Sequence, residues 1–205
     1  MPEKSERKIL FVVPTAKDIL ANTVLAAMKI AQRPDIEYMA IKGQPIDQVR
    51  NDVAQMTLDD KSYTHCLMMD SDIVPPDNIV DMLLECESPL AGAIAPICIN
   101  NDITSNAMVE VGCEVCRLTS WGDKTEPFEM KAVGAGCILI ERKVLEDVPW
   151  PWFKDVKKQD GSRMGEDVYF CYKAAEYGYK FKVHPKAVCS HFKLMDLLEL
   201  VKAFS

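Results

Sequence analysis

The 205-residue sequence lacks any apolar run of the roughly 18 residues that a membrane-spanning helix requires. Its first eight residues, MPEKSERK, are charged and lead directly into a predicted strand, so we expect no signal peptide. Hydrophobic residues make up 48% of the chain and charged residues 27%, which is usual for a soluble globular domain. These features predict a cytoplasmic protein with no integral membrane segment.

An excess of positive charge is also missing. The formal net charge is −7, which argues against a broad nucleic-acid-binding face, although a local basic patch remains compatible with it.

No second Cys-x-x-Cys motif accompanies Cys113 and Cys116, which have the spacing of half a zinc site. Apolar and other residues alternate over 109–116, which predicts one strand with the two thiols on opposite faces. We therefore expect no zinc there. Most of the eight cysteines lie in apolar runs and are expected to be reduced core residues.

The first half of the sequence alternates predicted strands and helices. Apolar runs at 8–15, 36–41, 64–69 and 90–95 predict strands, and residues 18–32, 46–56 and 76–86 have the spacing of helices. The first helix is expected to present an apolar stripe of Ile19, Leu20, Val24, Leu25 and Met28, and Arg50 and Asn51 are expected to lie off the apolar face of the second. In the second half, we expect strands at 107–118, 129–134, 180–184 and 187–190, and helices at 166–177 and 193–204. This order predicts an α/β fold with a mixed sheet and helices on both faces. A single compact domain would span 1–205, with a nucleotide-binding half at 1–100 and a second lobe at 101–205.

Two aspartates, Asp70 and Asp72, directly follow the apolar strand predicted at 64–69. In an open α/β sheet, ligands bind at the carboxyl ends of the strands. Adjacent carboxylates repel each other unless a cation or hydrogen-bond donors compensate, and hard oxygen ligands suit Mg²⁺ or Mn²⁺ holding a diphosphate. The alternative is that they cap the next helix, but Pro76 and Asp77 already supply a helix start.

A second acidic pair, Glu166 and Asp167, begins a predicted helix, where the helix dipole stabilises negative charge. A carboxylate there could accept the proton of an attacking hydroxyl group, or both residues could simply cap the helix. His191, at the end of the last predicted strand, could be a further metal ligand or a residue satisfied by ordinary hydrogen bonds.

Taken together, these motifs resemble the family-2-type glycosyltransferases of GT-A fold, and the resemblance covers nearly the whole chain in the expected order. The matching segments are Pro14-Thr15, Arg50-Asn51, the DxD motif at 70–72, GAGCILI at 134–140, PWF at 151–153, GEDVYFC at 165–171 and His191.

The resemblance implies a nucleoside-diphosphate-sugar donor. Pro14 and Thr15 would line the pocket for the nucleobase and ribose, and Arg50 would contact the base or a phosphate. Gly134 and Gly136 would let the backbone approach the sugar closely.

The resemblance also implies a metal, Mn²⁺ or Mg²⁺, and a catalytic base. Asp72 and His191 would ligate the ion, and Asp70 would contact the ribose or a water on the metal. Asp167 would act as general base, with Glu166 as the second candidate. With one base opposite the leaving group, we expect inversion at the anomeric carbon.

The acceptor is not encoded by any motif, so a small molecule, a glycan and a modified base in viral DNA all remain open. The QxxRW signature of processive synthases is absent, which favours a single addition. Trp152 and Phe153 could stack on a sugar ring or lie in the core, and residues 154–165 could form a lid over the donor.

Two other functions compete with this interpretation. A sugar-phosphate nucleotidyltransferase would need a glycine-rich phosphate loop after the first strand, where this chain reads VVPTAKDIL. A catalytically silent nucleotide-sugar-binding or scaffold protein would not need the full set of metal and base residues. The predicted C-terminal helix has an apolar face, which we expect to pack on the core or to form a homodimer interface: Leu194, Leu197, Leu198 and Val201.

Overall fold

The computed structural model describes residues 7–16, 18–43, 45–99, 102–112, 114–157 and 161–193. The first half contains β1 (Ile9–Thr15), α1 (Ala21–Ile30), β2 (Ile36–Lys42), α2 (Ile46–Asp59), β3 (His65–Met69), β4 (Ile73–Val74), α3 (Ile79–Glu85), β5 (Leu90–Ile94) and β6 (Pro96–Ile99). The second half contains β7 (Asp102–Ser105), β8 (Ala107–Val111), β9 (Glu114–Arg117), β10 (Phe128–Met130), β11 (Ala132–Val133), β12 (Cys137–Glu141), α4 (Arg142–Asp147), β13 (Val156–Lys157), β14 (Arg163–Met164), α5 (Glu166–Glu176), β15 (Phe181–Val188) and β16 (Ser190–His191).

A seven-stranded mixed sheet organises the molecule, in the order β10-β15-β5-β12-β3-β1-β2. β1 is parallel to both β2 and β3, whereas β12 runs antiparallel between β3 and β5. β1, β3 and β5 are buried along their whole length, as expected for strands covered on both faces. The predicted mixed α/β fold is confirmed.

Helices cover both faces of this sheet. Because side chains alternate along a strand, Ile9 and Phe11 of β1 pack in the core cluster that contains residues of α1 and α3. Leu10 and Val12 pack on the opposite face, with residues of α2, α4 and α5. Each of these side chains is fully buried, which contributes about 1.5–3 kcal/mol apiece to the free energy of unfolding.

The predicted buried face of α1 is wrong. The expected apolar stripe was Ile19, Leu20, Val24, Leu25 and Met28, yet Leu25 is 61% exposed and Met28 57% exposed. The helix instead buries Thr23, Ala27 and Ile30. Thr23 and Ala27 are small, so this face allows the helix to lie close to the sheet.

The single strand predicted over 107–118 is also wrong. Gly112 adopts a φ of 63°, which an L-residue with a side chain rarely adopts, and the chain reverses there into the β8–β9 hairpin. The expected divergence of two thiols along one strand therefore does not hold, and Cys113 lies outside the described residues. Cys116 is exposed, and the described residues contain no cluster of three His, Cys, Asp or Glu side chains suited to a metal.

Other boundaries differ more modestly. The strands predicted at 180–184 and 187–190 form the continuous β15 as far as Val188, and the sequence analysis missed the β6–β7 hairpin.

Five cysteines are buried as expected, and burial raises the pKa of Cys66 and Cys171 to about 12. The predicted C-terminal helix lies outside the described residues. Within the described ranges, no helix is long and apolar enough to cross a membrane.

Candidate active site

The first part of the site forms where β3 meets β12. These strands pair antiparallel with Met69 opposite Cys137, so the residue after β3 meets the segment before β12. The backbone N–H of Asp70 donates to the carbonyl of Gly136 at 2.9 Å. Strand pairing therefore joins the first acidic motif and the glycine-containing segment 134–136, which are far apart in sequence.

A buried arginine connects this point to the second acidic motif. Arg50 is only 3% exposed, and its Nη2 lies 2.7 Å from Asp70 Oδ1 while its Nε lies 3.1 Å from Glu166 Oε1. Its Nη1 donates to the carbonyl of Ala135 at 3.3 Å. Burial by itself lowers the pKa of Arg50, but the facing carboxylates of Asp70, Glu166 and Asp167 more than compensate, so the pKa is raised.

The predicted position of Arg50 off the apolar face of α2 is therefore wrong, because Arg50 is buried on this helix together with Val53 and Ala54. Its side chain crosses the interior as the counter-ion of two carboxylates. Its contact with a nucleobase or phosphate stays a prediction.

Asp167 and Glu166 begin α5 but point to different partners. Asp167 accepts hydrogen bonds from the backbone N–H of Ala135 at 3.2 Å and of Val168 at 2.6 Å. A Cβ on Gly134 would lie 3.2 Å from Asp167 Oδ2 and 3.0 Å from the Cβ of Asn106. Glycine at this position therefore lets the backbone pass between these two side chains.

Glu166 has a raised pKa. Burial is the main cause and Asp167 adds to it, whereas Arg50 opposes it. Because the pKa of Glu166 is higher in the folded protein than in the unfolded chain, this group adds to the free energy of unfolding at pH values below its unfolded pKa. That contribution is lost as the pH rises through the folded pKa.

Replacing Glu166 with Gln removes this titration. The free energy of unfolding of the wild type, relative to Glu166→Gln, is therefore expected to fall between pH 4 and pH 7. Urea denaturation of both proteins across that range measures the difference. A difference that rises with pH would contradict the account.

Asp72 and His191 form the second part of the site, where β4 pairs with β16. His191 Nε2 lies 3.3 Å from Asp72 Oδ2, and His191 Nδ1 lies 2.7 Å from the carbonyl of Pro96. A carbonyl only accepts, so Nδ1 must carry a proton, and in the neutral ring Nε2 then presents its lone pair towards Asp72. Lys193 Nζ also approaches Asp72 Oδ2, at 2.5 Å.

The described residues contain no group of three His, Cys, Asp or Glu side chains that could hold a metal ion, so this pair would provide only two protein ligands to a divalent cation. Two neighbouring ligands of an octahedral Mg²⁺ or Mn²⁺ ion are about 3 Å apart, close to the observed separation of the two ligand atoms. The bond from Nδ1 to a carbonyl is the outer support that metal-bound histidines usually have. A cation bound there would take the place of the Lys193 ammonium group, whose side chain is 59% exposed and free to withdraw. Asp70, by contrast, is engaged by Arg50.

The alternative that the aspartates cap the following helix is not supported. α3 begins at Ile79 with Asn78 at its N-cap position, and neither Asp70 nor Asp72 bonds to that turn. Both instead hold partners from distant parts of the chain.

Pro14 and Thr15 lie at the end of β1, beside β3 in parallel, and therefore at the same edge of the sheet as Asp70. Both are buried. The Thr15 hydroxyl donates to the carbonyl of Asp18 at 3.1 Å, and the Thr15 carbonyl accepts from Gly43 at 3.0 Å. The residues predicted to line the nucleobase pocket thus share an edge with the acidic groups.

A cavity of about 490 Å³ opens next to Asp167. Its lining includes Gly134, Asn106, Arg117 and Tyr172, of which the sequence analysis identified only Gly134. Asn106 is buried, accepts the N–H of Ala95 through its side-chain oxygen, and donates to the carbonyls of Ala93 and Gly134. No motif marks these residues; a lone Asn between two predicted strands was the only available signal.

Trp152 and Phe153 are core residues. Both are buried, and the Trp152 indole N–H donates to carbonyls at the end of α4. The Asn51 side chain holds their backbone, because its oxygen accepts both N–H groups and its amide donates to the Phe153 carbonyl at 2.7 Å. Of the predicted lid, the described part forms the β13–β14 hairpin, and residues 158–160 lie outside the description.

Comparison with known proteins supports the fold. No protein-family profile and no curated sequence matches the chain. Among solved structures, A197 from STIV is similar with a TM-score of 0.59 at 19% identity, over 91% of this chain and 86% of that one. GalNAc-T7, solved with UDP, GalNAc and Mn²⁺, matches with a TM-score of 0.59 at 12% identity, over 95% of this chain. The chain spans 44% of the GalNAc-T7 chain. The chain therefore shares its fold with these two proteins, which supports the predicted GT-A-like fold.

Proposed function

We propose that this protein is a metal-dependent glycosyltransferase of the family-2 type. It would move a sugar from a nucleoside-diphosphate donor to an acceptor hydroxyl, in a single addition. The observation that carries the proposal is the arrangement at one sheet edge: the Asp72–His191 pair, the Asp70 carboxylate anchored by Arg50, and Asp167 facing a cavity. The fold shared with a transferase solved with UDP and Mn²⁺ supports it.

The donor half of the site is assigned to the ends of β1 and β3. Pro14 and Thr15 contact the nucleobase and ribose, and Asp70, held in place by Arg50, contacts the ribose or a metal-bound water. Asp72 and His191 would hold Mn²⁺ or Mg²⁺, which would supply positive charge to the departing diphosphate.

Asp167 is assigned as the general base. It lines the cavity, whereas Glu166 is turned inward to Arg50, so the two adjacent carboxylates have separate tasks. Asp167 takes the proton of the acceptor hydroxyl as its oxygen attacks the anomeric carbon, and the bond to the diphosphate breaks. Attack from the side opposite the leaving group inverts the anomeric configuration; an NMR spectrum showing a retained configuration would contradict this.

A catalytically silent nucleotide-sugar-binding protein is the second candidate. It would share the donor half but have no use for a carboxylate in the cavity. Asp167 at the cavity wall therefore favours the enzyme. We also place the enzyme in the cytoplasm, where its thiols stay reduced.

Nucleotide binding tests the donor site. Thermal unfolding is followed with UDP, GDP, dTDP and CMP, each with and without Mn²⁺. One nucleotide is expected to stabilise the wild type only with metal, by about 2.7 kcal/mol at a hundredfold excess over Kd. Asp72→Asn should lose this effect.

Asp77→Asn is the matched control, since Asp77 is exposed and pairs with Lys29 away from the site. It should respond as the wild type does. Equal stabilisation of the Asp72 and Asp77 variants would show that the metal site is placed wrongly.

A further inference from the structure

The cavity beside Asp167 contains an arginine that has no carboxylate partner among the described residues. Its lining includes three charged side chains, Asp167, Arg117 and Arg163. Arg163 is neutralised by Asp155, with Nε–Oδ1 at 3.2 Å and Nη2–Oδ2 at 2.5 Å. Arg117 makes one hydrogen bond within the described part of the chain, from Nη1 to the carbonyl of Asn106 at 3.2 Å, and no ion pair there. Its remaining N–H groups are therefore available to a ligand.

Asn106 lies between Arg117 and Asp167. Its carbonyl accepts from both Arg117 and the backbone of Gly134, and Gly134 packs between Asn106 and Asp167. The positive and negative side chains of the cavity thus sit on the two sides of one rigid, hydrogen-bonded segment. A ligand in the cavity meets a guanidinium group on one side and a carboxylate on the other.

The rest of the cavity wall suits a small molecule. A volume of about 490 Å³ is within the usual range for small-molecule sites, and the half-buried side chains of Met108, Val168 and Tyr172 provide apolar and aromatic surface.

We propose that the acceptor is an alcohol that carries an oxyanion, a phosphate or a carboxylate group, bound by Arg117. The guanidinium group pairs with such groups through two parallel hydrogen bonds, which a lysine cannot reproduce. Asp167 repels the anionic end, so the acceptor lies with its anion at Arg117 and its hydroxyl at Asp167. The inference rests on the proposed transferase function, because only a transferase would use the hydroxyl at Asp167 as an acceptor.

The transfer from the nucleoside-diphosphate sugar to this acceptor needs no further reactant. The hydroxyl proton passes to Asp167, the acceptor oxygen bonds to the anomeric carbon, and the nucleoside diphosphate leaves with the electron pair of the broken bond. The anion stays bound to Arg117 and does not react.

Binding of inorganic phosphate tests the anion site without any donor. Titration is followed by NMR at constant ionic strength, without metal, for the wild type, Arg117→Gln and Arg117→Lys. Arg117→Gln is expected to weaken phosphate binding at least tenfold and Arg117→Lys less. Arg33→Gln removes a half-buried arginine at the opposite edge of the sheet and should bind as the wild type does. No binding by the wild type, or binding that Arg117→Gln retains, would overturn the proposal.

A transfer assay with matched acceptors tests the orientation. Glycerol, glycerol 3-phosphate and glycerate share a hydroxyl-bearing skeleton, and hydrolysis of the donor without acceptor reports on the donor half alone. The charged acceptors are expected to give at least tenfold higher kcat/KM than glycerol. Arg117→Gln should remove that preference.

The outcomes separate the two claims. Equal use of glycerol and its charged derivatives, with donor hydrolysis intact, refutes the anionic acceptor and leaves the transferase standing. Arg117-dependent phosphate binding without nucleotide binding or donor hydrolysis refutes the transferase, and with it the role of the anion site in an acceptor.

Discussion

Asp167→Asn is expected to lower the rate of sugar transfer by about 10²–10⁴-fold, the usual contribution of a positioned general base. The amide keeps the shape of the side chain but cannot take a proton from the acceptor hydroxyl. Nucleotide binding should not change, because the proposed donor half lies around Asp72 and His191. Steady-state kinetics with titration of the nucleoside diphosphate separate the two effects.

Glu166→Gln is the comparison that identifies the base. Glu166 faces Arg50 and not the cavity, so its replacement should reduce transfer much less than Asp167→Asn. The reverse order of the two effects would assign the base to Glu166. Loss of nucleotide binding in Asp167→Asn would show that Asp167 belongs to the donor site.

Arg50→Met is expected to cost about 3 kcal/mol in the free energy of unfolding, the lower end of the range for a broken buried ion pair, because it removes the counter-ion of Glu166, which is 14% exposed, and of Asp70, which is 33% exposed. For a domain of this size, such a loss corresponds to a decrease in Tm on the order of 10 °C. Removing the charges of both partners, with Asp70→Asn and Glu166→Gln, should restore part of the loss. Urea denaturation of the single and triple variants measures it.

Arg33→Met is the control for this prediction. Arg33 pairs with Asp35 and Asp81 near the surface, where such pairs contribute less than about 1 kcal/mol. If both arginine variants lose the same stability, the buried network around Arg50 does not hold the site together.

The sequence was sufficient for features that depend on neighbouring residues. The apolar run before Asp70 predicts a buried strand that ends at the edge where ligands bind, and the structure has β3 there. Glu166 and Asp167 begin a helix as their position predicts. Local pattern also predicts the mixed α/β fold, since strands and helices alternate over the first half.

Features set by distant contacts could not be predicted. Arg50 reads as a polar residue on the exposed side of a helix, and it is buried only because carboxylates 20 and 116 residues away meet it there. Asn106 and Arg117 acquire their positions from hairpins that the tight turn beginning at Gly112 helps to define. The sequence could not show which face of α1 is buried, because small residues as well as large ones can pack on a sheet.

Release of nucleoside diphosphate from its sugar conjugates tests the central claim most directly. Purified protein is incubated with a panel of nucleoside-diphosphate sugars and Mn²⁺, with no added acceptor, and the free diphosphate is measured. We expect slow release from one donor class, dependent on metal and lost in Asp72→Asn. The absence of release from every donor, together with unchanged thermal stability in the presence of every nucleotide, would contradict the assignment of this protein as a glycosyltransferase.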